Sequence, residues 1–215
     1  MEQSNNYVNE ILPFGAASVN PLLFAQMLIG HTDIMDRLEK SVISMVENRV
    51  NHFVLLIGNR GLGKTHLLKV LYSRSLHYVQ DRRVKIAFCF GKGYGVDSYF
   101  DFLFRVLFEL IKEKKTAQLS LYGRMGELKN KMDVKPQKLL ENAIKEIVGE
   151  TPLLILMEDF DQVMKQLDKN GQGRLRAWLY ENDHVSIIAS CQNLTDEFKK
   201  EDSPFMGFFT AYYLK

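Results

Sequence analysis

The sequence predicts an α/β fold, a mostly parallel five-stranded sheet sandwiched between helices, and three observations carry that expectation. Short apolar runs at 52–57, 84–90, 153–157 and 184–190 alternate with longer segments whose apolar residues recur at helical spacing. A glycine-rich stretch, "GNRGLGKTH" at 58–66, joins the first run to the first following helix. The third run, "LLILMEDFD" at 153–161, ends abruptly in acid. Alternating strands and helices build a doubly wound domain, whose sites form at the carboxyl ends of the strands.

The elements follow in order. Residues 1–19 read as irregular, with Pro13 inside them. A helix over about 32–48 is expected because Ile34, Leu38, Val42, Ile43 and Val46 share one face. The strand at 52–57 leads through the glycine loop into a helix with Leu67, Leu68, Val70 and Leu71 on its stripe, running to about Tyr78. "VKIAFCF" (84–90) is a second strand, broken by "GKGYG" at 91–95. A helix then runs from Asp97 or Ser98 to about Glu113, with Tyr99, Leu103, Val106, Leu107, Leu110 and Ile111 aligned. Residues 114–135 are polar, basic and hard to read; Pro136 suits the start of the next helix. "GRLRAWLY" reads as helix, "HVSIIAS" as the fourth strand and "AYYLK" as the fifth. The expected division is an N-terminal segment and flanking helix over 1–50 and a core over 51–215.

Bulk properties exclude some classes. Lys plus Arg number 28 and Asp plus Glu 26, a balance of +2 that gives no argument for nucleic acid. "MEQSNNYVNE" lacks the basic and apolar regions of a secretory signal. No apolar run approaches the roughly 18 residues of a membrane span. Cys89 and Cys191 lie in apolar runs and read as reduced, buried thiols, which suits a cytoplasm. The five histidines are scattered, so no zinc site is expected.

The chemistry concentrates at two places. Gly58, Gly63, Lys64 and Thr65 satisfy G-x-x-x-x-G-K-[ST], in the required order of strand, loop and helix. Glycines let the backbone of Gly58, Asn59, Arg60, Gly61, Leu62 and Gly63 curl so that N–H groups point at phosphate oxygens, and the helix N-terminus adds its partial positive charge. Lys64 would reach the β- and γ-phosphates, and the Thr65 hydroxyl would coordinate Mg²⁺. His66 follows the loop, where a phosphate contact and a plain helix-surface role are both open. Glu158 and Asp159 end the third strand and share the crevice with this loop, facing the metal and the γ-phosphate. Asp161 is expected to cap a helix that starts near Phe160.

This arrangement resembles the AAA+ superfamily and the related signal-transducing ATPases of the additional-strand branch. "GNRGLGKTHLL" looks like Walker A and "LLILMEDFD" like Walker B of origin-recognition-type members. "IIASCQN" falls where that family carries its first sensor, which implies Ser190 as the polar group. "LIGHTDIMDRL" (28–38) is similar to the segment flanking the adenine, which implicates Ile29, Gly30 and His31. "SPFMGFFTAYYLK" resembles the stretch leading into the last core strand. The resemblance implies ATP and Mg²⁺ as cofactors, with Lys64, Glu158, Asp159 and Ser190 as the catalytic set.

Departures shape the expected activity. The family's usual order is aspartate then glutamate; here Glu158 takes the metal position and Asp159 that of the base. One extra methylene moves the Glu158 carboxylate about 1.5 Å outward, which a water-bridged Mg²⁺ tolerates. Asp159 is correspondingly short for orienting water, so hydrolysis is expected to be slow. No arginine occurs in "LTDEFKKEDS", and Arg174 and Arg176 read as a solvated helix face rather than as transition-state ligands. The helical lid of the family is absent, which raises the expectation of a longer parent protein. "FMGFF" reads as core or lid interface, and the basic residues of 112–115 and 124–135 as solvated charge.

The leading expectation is therefore a slowly hydrolysing ATPase module whose nucleotide state controls a partner protein or a further domain, with a homo-oligomer possible and no membrane role. A nucleotide-holding scaffold without turnover and a small-molecule P-loop kinase are the alternatives.

Overall fold

Each apolar run becomes a strand, and the helices between them are placed by their stripes. The computed structural model describes residues 30–90, 96–111 and 136–215. The expectations for 1–19, Ile29, 91–95 and 114–135 lie outside those residues. In chain order the elements are α1 (Thr32–Asn48), β1 (Phe53–Ile57), α2 (Lys64–Gln80), β2 (Lys85–Cys89), α3 (Tyr99–Leu110) and α4 (Pro136–Val148). Then come β3 (Leu153–Met157), α5 (Phe160–Gln166), α6 (Lys169–Glu181), β4 (Val185–Cys191), α7 (Asp196–Lys199) and β5 (Thr210–Tyr213).

The strand order is β2-β3-β4-β1-β5, and all four pairings are parallel. The expected five-stranded α/β sandwich is thus found, entirely rather than mostly parallel among the described residues. β3 and β4 lie inside the sheet, and every residue of both is buried. Helices cover both faces of a parallel sheet, which is why these strands read as unbroken apolar runs instead of alternating ones.

Two cores result from the strict alternation of side chains along a strand. Leu55, Ile57, Leu153, Ile155 and Met157 point into a core shared with α3, α4, α5 and α6. Val54, Leu56, Leu154 and Leu156 point into the other, shared with α1 and α2. Fully burying one such aliphatic side chain contributes roughly 1.5–3 kcal/mol. In α1, Ile34, Met35, Leu38, Val42, Met45 and Val46 are buried, and its exposed face carries the charge. α3 begins where Ser98 Oγ accepts the backbone N–H of Asp101, as the sequence suggested for that boundary.

β5 is an edge strand laid beside β1: Val54 aligns with Thr210 and Ile57 with Tyr213. Beyond it, the Leu214 N–H donates to the Ile57 carbonyl at 2.8 Å. "FMGFF" divides between core and surface. Phe205 is buried, Met206 is 48% exposed, and Phe208 stacks on Phe53 with ring centroids 4.4 Å apart.

Candidate functional site

The order β3-β4-β1 brings three strand ends together, and each delivers one part of the site. β1 runs into the loop at 58–63, which turns through left-handed backbone at Gly61 (φ 93°) and Gly63 (φ 86°). Gly63 ends the loop as the cap residue of α2 and, having no side chain, makes no cap bond. A 17-residue helix therefore opens at this loop, and its N-terminal donors and partial positive charge suit an anion. At Gly58 a β-carbon would meet Leu214 Cβ, Leu214 O and Leu62 Cδ1, each at 3.1 Å. A side chain there would press on its neighbours, which glycine avoids.

Lys64 is buried, and its Nζ donates to the carbonyls of Gly58 (2.5 Å) and Asn59 (2.9 Å). Burial lowers its pKa, and the Asp159 and Asp161 carboxylates oppose that shift. The ammonium is therefore held on the loop it serves, with acidic groups beside it. Asn59, Arg60, Gly61 and Thr65 are exposed, while Leu62, Gly63 and His66 are half-buried.

β3 delivers the acids. Its alternation continues through Glu158, whose N–H still bonds the Cys89 carbonyl of β2 at 3.2 Å. Following Leu154 and Leu156, Glu158 leaves the sheet on the face that carries α2 and Thr65. Strand geometry ends there, because Asp159 takes a left-handed backbone (φ 49°, ψ 42°) and starts α5. Strand alternation reaches Glu158 but does not orient Asp159, whose side chain is aimed by this turn instead. One expectation is corrected here. The cap position of α5 belongs to Asp159, which makes no side-chain cap bond; Asp161 lies inside the first turn and is buried.

β4 supplies the link. The Ser190 hydroxyl, buried between β3 and β1, accepts the Asp159 N–H at 3.2 Å. Burial pushes the neighbouring Cys191 thiol up, so it is neutral at physiological pH. Lys64, Asp159 and Ser190 are thus brought to one place, with Glu158 and Thr65 on the α2 face. Gly30 and His31 sit apart, forming the left-handed turn that opens α1 (φ 73° and 52°). α1 reaches the site's β5 side, where the Arg37 guanidinium lies 5.7 Å from the centre of the Tyr212 ring. Arg174 and Arg176 are exposed on α6, and Arg176 covers Phe208.

Sequence reasoning missed one wall of the site. A cavity of about 600 Å³ opens between Gly58 and Asn59 on one side and Gln192, Asn193 and Tyr213 on the other. Gln192 and Asn193 are the first residues past β4. Two amides directly after a buried strand, at the end where the loop of β1 emerges, are the signal that would have found them.

Among the described residues, no group of three or more His, Cys, Asp or Glu is arranged to hold a metal. Mg²⁺ does not need one. It takes one or two protein oxygens together with phosphate oxygens and waters. The Thr65 hydroxyl and the Glu158 carboxylate, beside an uncapped helix start and a buried lysine, fit that requirement.

No protein-family model matches this sequence, and no curated protein matches it. Solved structures do. ORC1 of Aeropyrum pernix, determined in complex with DNA, superposes with a TM-score of 0.58 at 13% identity, covering 96% of this chain and 48% of that one. The ADP form of ORC2 from the same organism gives 0.57 at 12% identity, covering 90% and 51%. PCH-2 of C. elegans gives 0.54 at 14% identity, covering 90% and 47%. This chain spans about half the length of these proteins. At such identities the likeness speaks for the fold alone, which this chain shares with ORC1, ORC2 and PCH-2.

Proposed function

We propose that this chain binds ATP with Mg²⁺ and hydrolyses it slowly, its nucleotide state controlling a partner protein or a further domain. The observation that carries this reading is the convergence of Lys64, Asp159 and Ser190, tied by the Ser190–Asp159 hydrogen bond, beside an uncapped helix start. On binding, Lys64 exchanges the carbonyls of Gly58 and Asn59 for β- and γ-phosphate oxygens. The loop N–H groups from Gly58 to Gly63 and those of Thr65 and His66 cradle the remaining phosphate charge. Mg²⁺, held by Thr65 and Glu158, supplies charge neutralisation between the phosphates. Asp159 orients the attacking water and accepts its proton, and Ser190 fixes the backbone from which Asp159 reaches.

Slow turnover follows from the short Asp159 side chain; Arg60 of the loop is exposed, and Arg174 and Arg176 lie on the exposed face of α6. The base is proposed to lie against the turn at Ile29–His31, with residues 1–50 flanking the nucleotide and 51–215 forming the core. The buried thiols suit a reducing cytoplasm, and no described helix is long and apolar enough to cross a membrane. The ORC1 neighbour was determined with DNA, which makes nucleic acid a secondary candidate partner; the net charge of +2 lends it no support. Calorimetric titration with ATP and ADP, together with phosphate release, tests the reading. Tight ATP binding and slow phosphate release are expected. Binding without any release would favour the scaffold reading, and transfer to an acceptor the kinase.

A further inference from the structure

We propose that the cavity beside the P-loop is a docking site for an acidic peptide segment of a partner protein. This deepens the reading above, which gives the chain a partner; the docking itself does not depend on ATP. The cavity, about 600 Å³, has the size of a ligand site. None of Lys64, Thr65, Glu158 and Asp159 lines it, so it is not the place assigned to phosphate and metal. With that place it shares Gly58, Asn59 and Leu62 of the loop.

The lining is one-sided in charge. Lys199 and Lys215 are exposed and line the cavity, and no Asp or Glu does. Two acids of the segment around Lys199 are taken by other lysines: Lys200 pairs with Asp196 at 2.8 Å, and Lys169 with Asp202 at 2.5 Å. Lys199 and Lys215 form no ion pair among the described residues. Between them the lining is apolar: Ile57 and Leu214 are buried, and Leu62 and Leu194 half-buried. Ile57 belongs to one core and Leu214 to the other, so the cavity lies across the end of the sheet. A bare inorganic anion would leave the leucines unused, and a purely apolar segment would leave the lysines unused. A short stretch in which apolar residues alternate with carboxylates uses both. Asn59, Gln192 and Asn193 add amide donors and acceptors, the complement of a peptide backbone. The two lysines come from different elements, α7 and the end of β5, which suits charges spaced along a chain. The wall formed by Gly58 and Asn59 is also the one whose carbonyls receive the Lys64 ammonium. A segment seated here therefore touches the loop proposed to take nucleotide, and by linkage each ligand acts on the other to the same degree.

The test is a titration of the nucleotide-free chain with the fluorescein-labelled peptide Glu-Leu-Glu-Glu-Leu-Glu, read by fluorescence anisotropy, beside its Gln-Leu-Gln-Gln-Leu-Gln counterpart. The acidic peptide is expected to bind about tenfold or more tightly than the neutral one, and to weaken as salt rises. Lys199→Glu combined with Lys215→Glu is expected to weaken its binding about tenfold or more, and Leu194→Ser about threefold or more. Lys40→Glu, at an exposed position of α1, is expected to leave it within about twofold. Parent affinity in the double lysine variant overturns the proposal, and so does equal binding of the two peptides. An equal loss in Lys40→Glu also overturns it, since net charge and not the cavity would then hold the peptide. Saturating ATP is expected to shift the peptide's affinity about threefold or more, and an unchanged affinity overturns the coupling to the loop. A parent that binds no ATP removes the ATPase reading, and the anisotropy titration still decides the docking site.

Discussion

Two strand ends feed helices at the same end of the sheet, both through left-handed backbone but with different residues in it. Between β1 and α2 the left-handed positions are glycines, Gly61 and Gly63. Between β3 and α5 the left-handed position is Asp159 itself, at φ 49°. A glycine turn presents backbone donors and nothing else. A turn that forces an aspartate into the left-handed region keeps its carboxylate at the bend, accepting strain that glycine would avoid. On the function proposed above, the first turn would take an anion and the second a cation or a water molecule, one to each half of the crevice.

The largest effect tests the anion half. Lys64→Ala is expected to weaken ATP binding about 100-fold or more by calorimetry, because the loop keeps its amides but loses the only buried cation described there. A folded variant with parent affinity would detach the glycine turn from phosphate. The next effect separates the two acids of the second turn. Asp159→Asn is expected to cut turnover by about 10²–10⁴-fold while ATP affinity stays within about threefold. Glu158→Gln is expected to weaken Mg²⁺-dependent affinity instead, by about tenfold. If Asp159→Asn turns over at the parent rate and Glu158→Gln loses only turnover, the two roles are exchanged.

A smaller effect contrasts the turns by stability alone. Gly63→Ala, at φ 86°, is expected to destabilise the fold by about 1–2 kcal/mol in urea. Asp159→Gly is expected to leave stability within about 0.5 kcal/mol, since relief of left-handed strain offsets the added freedom of the unfolded chain. Opposite results would mean that the aspartate turn is unstrained. The smallest effect concerns pH. Burial raises the Asp161 pKa above its ordinary 3.8, with Asp159 adding to the shift and the Gln192 N–H and Lys165 opposing it. The folded state then holds the proton more tightly than the unfolded one. The parent therefore loses stability as pH rises through the folded pKa, and Asp161→Asn does not. The melting temperature of the Asn variant minus that of the parent should become more positive from pH 4 to pH 7. A constant difference would show that Asp161 binds its proton equally well folded and unfolded.

The glycine turn was fully legible in the sequence because its information is local: strand, loop and helix are contiguous over 52–71. The ends of the acidic strand were legible for the same reason. Asp161 was not, because α5 packs against β4, which the chain reaches only after α6 and which is brought near by its pairing with β3. Read locally, an acid in a helical first turn looks like a cap. α5, at seven residues, is too short for periodicity to reveal which face is buried. Gln192 and Asn193 look like ordinary turn formers until the strand order sets them beside Gly58. The strand order itself, with β1 between β4 and β5, is written in no local pattern of the residues.

The contact between Leu214 and the P-loop carries a mechanical meaning. The Leu214 N–H is anchored to Ile57, and Leu214 Cβ and O lie where a side chain at Gly58 would have to go. The first glycine of the loop thus rests directly on the end of β5. With so little room between them, the shape of the loop at Gly58 and the path of the chain at Leu214 must accommodate each other.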